Sequence, residues 1–216
     1  MKKIVSVILL FVMAVTLLSG CSGSAGSSDE IRIGVNYELS GNVATYGQSS
    51  VEGIKLAIEQ INAAGGVKGK KIKLIEYDNK SEAAEATTLA TKLMTQDKVV
   101  AVLGPATSGA FKATEPVARQ NKVPIISGSA TADDVTVDDK GVKEYVFRIC
   151  FNDSYQGSAM AQFASQGLNA AKAVIIMDSS SDYSKGLAEN FTKTFEAAGG
   201  TIVAQEAYVK GDTDFN

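Results

Sequence analysis

Residues 99–109 read VVAVLGPATSG, and this stretch decides the fold class. Val99 to Leu103 is almost wholly apolar with no alternation, the pattern of a strand whose two faces are both covered, as in a parallel sheet flanked by helices. Gly104 and Pro105 turn the chain, and a helix is predicted from about Gly109 to Gln120 with Phe111 and Val117 facing inward. A strand, a tight turn and a helix in succession are the unit of an α/β fold.

The same alternation extends in both directions. Upstream, Ile31 to Tyr37 reads as a first strand. Val51, Ile54, Ala57 or Ile58, and Ile61 then fall at helical spacing, in a helix ending near Asn62 to Gly66. Ile72 to Asp78 is a second strand. It is followed by a helix from about Glu82 to Gln96, with Ala86, Leu89, Leu93 and Met94 as its apolar stripe and Ser81 as its N-cap. Downstream, strand Val123 to Ile126 leads into Ser127-Gly128-Ser129-Ala130-Thr131, Asp133 to Gly141 reads as a polar surface excursion, and Tyr145 to Phe151 resumes strand character. The rhythm then restarts with a helix from about Ser154 to Gln166, strand Ala173 to Met177, helix Ser184 to Ala198 and strand Thr201 to Tyr208. A boundary is expected between residues 148 and 152, giving a first lobe over 31–148 and a second over 149–216. Two strands in so short a second unit make an incomplete core, so the chain is expected to stop inside its second lobe.

The composition narrows the chemistry. The 216 residues include no His and no Trp, which excludes imidazole bases, Ser-His-Asp and Cys-His sites and His-ligated metals within this sequence. The net charge of −3 gives no electrostatic footprint for nucleic acid. The first strand is not followed by G-x-G-x-x-G, and no loop reads G-x-x-x-x-G-K-[ST], so nucleotide-binding fingerprints are absent too. No metal or cofactor is expected.

The start of the chain carries an address. Lys2 and Lys3 precede an apolar run from Ile4 to Leu18, which is too short to span a bilayer, and Leu18-Ser19-Gly20-Cys21 follows. Residues 1–20 therefore read as a signal peptide. The segment resembles a bacterial lipoprotein signal, which implies that Cys21 becomes the lipid-bearing first residue of the mature chain. Residues 21–30, rich in Ser and Gly, read as a flexible tether. Cys150 is the only other cysteine, in an apolar string that suggests a buried strand residue.

In open α/β sheets ligands bind beyond the carboxyl ends of the strands, so the loops that follow strands hold the candidates. These are Ser40-Gly41 and Tyr46-Gly47 after the first strand, Thr107-Ser108-Gly109 after the third, and Ser129, Ala130 and Thr131 after the fourth. Two hydroxyl-rich loops on adjacent strand ends suit a small anion such as a carboxylate. Thr107 or Ser108 alternatively caps its own helix. Asp153 with Gln156-Gly157 either caps a helix or reaches across a cleft, and Tyr183 either packs or closes over a ligand.

Taken together these motifs resemble the branched-chain amino acid group of bacterial periplasmic binding proteins, the substrate-binding components of ABC importers. The similar stretches are Gly34 to Gly53, Ile61 to Gly69, Tyr77-Asp78, Leu103 to Ser108, Ser127 to Thr131, Asp153 to Gly157, and Tyr183 with Gly186. The resemblance implies a two-lobed α/β fold of the type I periplasmic-binding class, each lobe a parallel sheet flanked by helices, with no enzymatic activity. It implies that the lobes close on one amino acid, its carboxylate held by Ser108, its ammonium by the Ser129 carbonyl and the Thr131 hydroxyl, with Ala130 between them and Tyr46 and Tyr183 lining the cleft. The implied partners are an ABC permease in the membrane and the bilayer itself through the lipid anchor, on the extracytoplasmic face, with the binding protein a monomer. A ligand-binding sensory or receptor module of the same fold, and a binder of another amino acid, amide or small carboxylate, are the alternatives.

Overall fold

The computed structural model describes residues 30–215. The leader, most of the tether and Cys21 lie outside them. Five strands form one sheet: β1 (Glu30–Tyr37), β2 (Lys71–Asp78), β3 (Ala101–Leu103), β4 (Ile125–Ser127) and β7 (Val146–Arg148), in the order β2-β1-β3-β4-β7. β1 pairs with β3, β3 with β4 and β4 with β7, all parallel. Helices α1 (Ala44–Ala63), α2 (Ala83–Thr95) and α3 (Ser108–Asn121) connect the first four strands. A 3-10 turn at Asp133–Val135 and a small hairpin, β5 (Val137–Asp138) with β6 (Gly141–Val142), occupy the predicted excursion before β7.

The apolar strands are explained by what covers them. Leu93 and Met94 of α2 and Phe111 and Ala118 of α3 pack with Val102, Ile125 and Val146 of the sheet. On the opposite face Val51 of α1 packs with Val35 and Tyr37. Consecutive residues such as Val102 and Leu103 therefore face different clusters, both faces are covered, and the polar Asn36 and Ser127 are buried with hydrogen-bond partners. The strand order reverses between β1 and β3, because the β1–α1 connection runs outward one way and β3–α3 the other. This is the topological switch point, the place where ligands bind in open α/β sheets. At that point Gly104 has φ +90, and a Cβ there would lie 2.3 Å from the Asn36 carbonyl oxygen, so only glycine lets the chain turn against β1.

Beyond β7 the chain builds α4 (Asp153–Gln162), a π-helical turn at Phe163–Gly167, β8 (Lys172–Asp178), α5 (Asp182–Ala197) and β9 (Thr201–Tyr208). β8 and β9 form a separate parallel sheet. α4 lies against α5, with Ala161, Ala188 and Phe195 buried and Phe191 stacked on Phe195 at 5.3 Å between ring centroids. The architecture is the two-lobed α/β type, parallel sheets flanked by helices.

Several local expectations shift. β4 starts two residues later than predicted because Lys122 turns left-handed (φ 55), Val123 donates to Ala118 O at 3.1 Å, and Pro124 has no N–H to pair. β3 starts at Ala101, since the Val99 N–H is taken by Leu93 O. Ser81 is not an N-cap: it sits at φ 63, its hydroxyl donates to Ser40 O at 2.8 Å, and Glu82 holds the cap position without a side-chain bond. β7 is an edge strand of three residues, with Phe147, Ile149 and Phe151 exposed, and Cys150 lies half-buried just past it.

Candidate ligand-binding cleft

The adjacent β3 and β4 send their following loops out at the same end of the sheet, and three hydrogen bonds stitch those loops together. The Ser127 hydroxyl donates to Pro105 O at 2.7 Å, the Ser129 hydroxyl donates to Ala106 O at 2.9 Å, and the Ala132 N–H donates to Ser108 Oγ at 3.1 Å. Ser127 Oγ also accepts from Ala130 N at 3.0 Å and Ser129 N at 3.3 Å, which coils the second loop around its side chain. The first loop is held from β1: the buried Glu38 carboxylate accepts from Ala106 N at 2.9 Å, Thr107 N at 3.1 Å and Thr107 Oγ1 at 2.9 Å.

What the stitching leaves unspent defines the candidate site. Ser108 is buried and its oxygen accepts from Ala132, so its hydroxyl hydrogen remains to be donated. It opens α3, whose first-turn N–H groups have no partner within the helix. Among the described residues nothing donates to the Ser129 carbonyl, and the buried Thr131 Oγ1 has no hydrogen-bond partner. Ala130 is fully buried in the core with both backbone groups engaged, its N–H by Ser127 Oγ and its carbonyl by the Cys150 thiol at 3.5 Å.

Asp153 completes the group. It is 0% exposed, and neither carboxyl oxygen has a hydrogen-bond partner. It stands on the first turn of α4, where an aspartate commonly caps, but Asn152 performs that task by accepting from Tyr155 N at 3.1 Å. The Asp153 N–H donates to Thr131 O at 2.8 Å, which ties this helix start to the second loop. A Cβ on Gly186 would lie 2.7 Å from Asp153 Oδ2, so the glycine lets α5 approach the carboxyl. Burial pushes the Asp153 carboxyl above the usual aspartate value, and the nearby Thr131 hydroxyl offsets this only partly, since it lies outside hydrogen-bond geometry.

A layer of charge continues from there. A cavity of about 290 Å³ is bordered by Lys112, Asp133, Asp153, Asp182, Gly186 and Asn190. Lys112, one turn along α3 from Ser108, pairs with Asp134 at 2.6 Å and with Asp182 at 3.0 Å; Lys185 pairs with Asp182 at 3.0 Å. Burial alone would lower the Lys112 pKa, but its two carboxylate partners outweigh that and raise it. Asp182 is held below the usual range by Lys185 and then Lys112.

Of the expected site residues, Ser108 lies on one and Ser129, Ala130 and Thr131 on the other of the two loops that these hydrogen bonds join. Tyr183 stands on the first turn of α5, half-exposed, its hydroxyl accepting from Gln156 Nε2 of α4 at 3.0 Å. Tyr46, at the start of α1, is 66% exposed and joins none of these hydrogen bonds. Glu38, Ser127 and Lys112 were not singled out by the sequence. The arrangement offers donors at one end and acceptors at the other. Among the described residues no group of three or more His, Cys, Asp or Glu is placed to hold a metal ion.

Comparison with known proteins agrees with this architecture. A family model described as periplasmic binding protein matches residues 30–216, and the chain belongs to that family. It is 31% identical over 204 residues to the Leu/Ile/Val-binding protein BraC3 of Rhizobium johnstonii, covering 94% of this chain and 54% of the relative. It is similar to the crystal structure of the branched-chain amino acid transporter substrate binding protein LivJ from Streptococcus pneumoniae in complex with isoleucine. The TM-score is 0.80 and the identity 48%, over 86% of this chain and 51% of that one. A solute binding protein of an ABC transporter from Rhodopseudomonas palustris, in complex with 3,4-dihydroxy benzoic acid, matches at TM-score 0.75 and 25% identity, over 84% and 48%. The chain spans about half the length of the relatives it matches.

Proposed function

We propose that this chain is the ligand-binding part of an extracytoplasmic substrate-binding component of an ABC importer, and that it takes a small amino acid. The observation that carries the reading is the set of unspent polar groups around two stitched loops: the Ser108 hydroxyl hydrogen and first-turn N–H groups of α3 at one end, the Ser129 carbonyl, Thr131 hydroxyl and Asp153 carboxyl at the other. A zwitterion binds well in a desolvated site only when both charged ends find partners, and this set supplies both. Asp153 argues against a plain aryl carboxylate, which has no cation to set beside a buried carboxyl. Likeness to proteins described as binding leucine, isoleucine and valine favours a branched-chain side chain. The test is thermal unfolding of the full-length protein with each common amino acid and with benzoates, because a ligand of the native state raises the melting point. Stabilisation by leucine, isoleucine or valine is expected; stabilisation by benzoates alone overturns the reading.

The export reading rests on the sequence of residues 1–21. Protein extracted from membranes is expected to begin at a lipid-modified Cys21, and Cys21→Ser is expected to release it into the soluble fraction. Mass spectrometry of the amino-terminal peptide checks this, and an unmodified Cys21 behind an intact leader would refute it. Delivery to a membrane permease follows from the same reading.

A further inference from the structure

We infer that Glu38 is a positioning residue for ligand binding, an internal anion that sets where the ligand's carboxylate can sit; this rests on reading the cleft as an amino acid site. Glu38 is 0% exposed, immediately after β1 at the switch point of the sheet, and takes no part in the core clusters on either face. Both of its oxygens are committed: Oε2 accepts from Ala106 N, and Oε1 accepts from Thr107 N and Thr107 Oγ1. These are the two backbone donors directly ahead of Ser108, on the loop whose conformation places the Ser108 hydroxyl and the first turn of α3.

The contact does two things. It fixes the loop through two backbone bonds made to a carboxylate, which are stronger than bonds to a neutral acceptor. It also removes Ala106 N–H and Thr107 N–H from the donors a ligand anion can use. A ligand carboxylate is thereby confined to the Ser108 hydroxyl and the N–H groups of Ser108, Gly109 and Ala110, and the like charge of Glu38 opposes a slide back toward β1. A glutamine at this position keeps the shape but turns an NH₂ toward one of these donors.

The experiment compares Glu38→Gln with the unsubstituted full-length protein by calorimetry against L-leucine and L-leucinamide, which lacks the carboxylate. Amide exchange of residues 104–111 is followed in the absence of ligand. Leucine affinity is expected to fall by about tenfold or more, as when a hydrogen bond to a charged group is lost, while leucinamide affinity changes little. Exchange over 104–111 is expected to quicken while that of α2 stays unchanged. In a Ser108→Ala background the effect of Glu38→Gln on leucine affinity shrinks, because the group being positioned is gone. Equal losses for leucine and leucinamide, or full additivity with Ser108→Ala, overturn the positioning role and leave only a structural one. Should Glu38→Gln fail to fold, Thr107→Val, which deletes one of the three contacts, is expected to move the same readouts in the same direction by less, and no movement overturns the inference. If the unsubstituted chain binds no amino acid, the amino acid reading falls instead, and unchanged exchange over 104–111 would separately overturn the hold of Glu38 on the loop.

Discussion

Asp153→Asn is expected to weaken leucine binding by about 2–3 kcal/mol, roughly a hundredfold, while raising the melting point of the ligand-free protein. The two effects share one cause. In the free protein the carboxyl is fully buried with both oxygens unpartnered, and its ionised form is costly there. An amide of the same shape relieves that cost but cannot pair with an ammonium. Loss of affinity without gain in stability would mean that the carboxyl already has a partner in solution; gain in stability with unchanged affinity would remove it from the site. The pH dependence follows in sign. The folded-state pKa of Asp153 is raised above the usual 3.8, mainly by burial. Its contribution to folding is thus fully present below the usual aspartate value and is lost as the pH climbs through the raised one. An ammonium set beside the carboxyl favours the charged form and lowers the pKa again. Leucine binding in mildly acidic solution is therefore expected to release protons, read as a binding enthalpy that changes with the ionisation enthalpy of the buffer, and Asp153→Asn is expected to abolish that release.

Ser108→Ala carries the second large effect, about 1.5–3 kcal/mol in leucine affinity, the range for a hydrogen bond to a charged group. It differs from Asp153→Asn in its effect on the free protein. Ser108 Oγ is the acceptor for Ala132 N–H, so its loss strands a buried donor and cuts one of the three bonds between the loops. The melting point of the ligand-free protein is expected to fall. Calorimetry and thermal unfolding together check this, and an unchanged affinity would take Ser108 out of the site.

The contrast between these two residues shows what the sequence carried and what it did not. Ser108 was legible because its position is local: an apolar strand, a Gly-Pro turn and a hydroxyl at the start of a helix lie within ten residues. The same locality made β1, β2, α1 and α2 readable, since each is set by its own periodicity. Asp153 was ambiguous for a local reason as well, because an aspartate at a helix start is ordinarily a cap, and only the bond from Tyr155 N to Asn152 shows that the neighbour does the capping. Glu38 was invisible: its partners Ala106 and Thr107 lie 68 and 69 positions away, and nothing beside it hints at them. The Lys112–Asp182 pair, 70 positions apart, was hidden in the same way. Where sequence reasoning erred, backbone detail decided: the left-handed Lys122 shortened β4, and the left-handed Ser81 withdrew a hydroxyl from the helix it was expected to cap.

The bond from Asp153 N to Thr131 O makes a fulcrum of the second loop. Gly186 rests against Asp153, and the remaining run of α5 to Ala197 is an arm of about 17 Å. A tilt of about 10° about that pivot carries the arm's tip roughly 3 Å, by the same helix geometry. On the amino acid reading, a molecule the size of a single residue pressing on Thr131 and Asp153 would stand at the short end of that lever, and its arrival would be read on a surface far from where it sits.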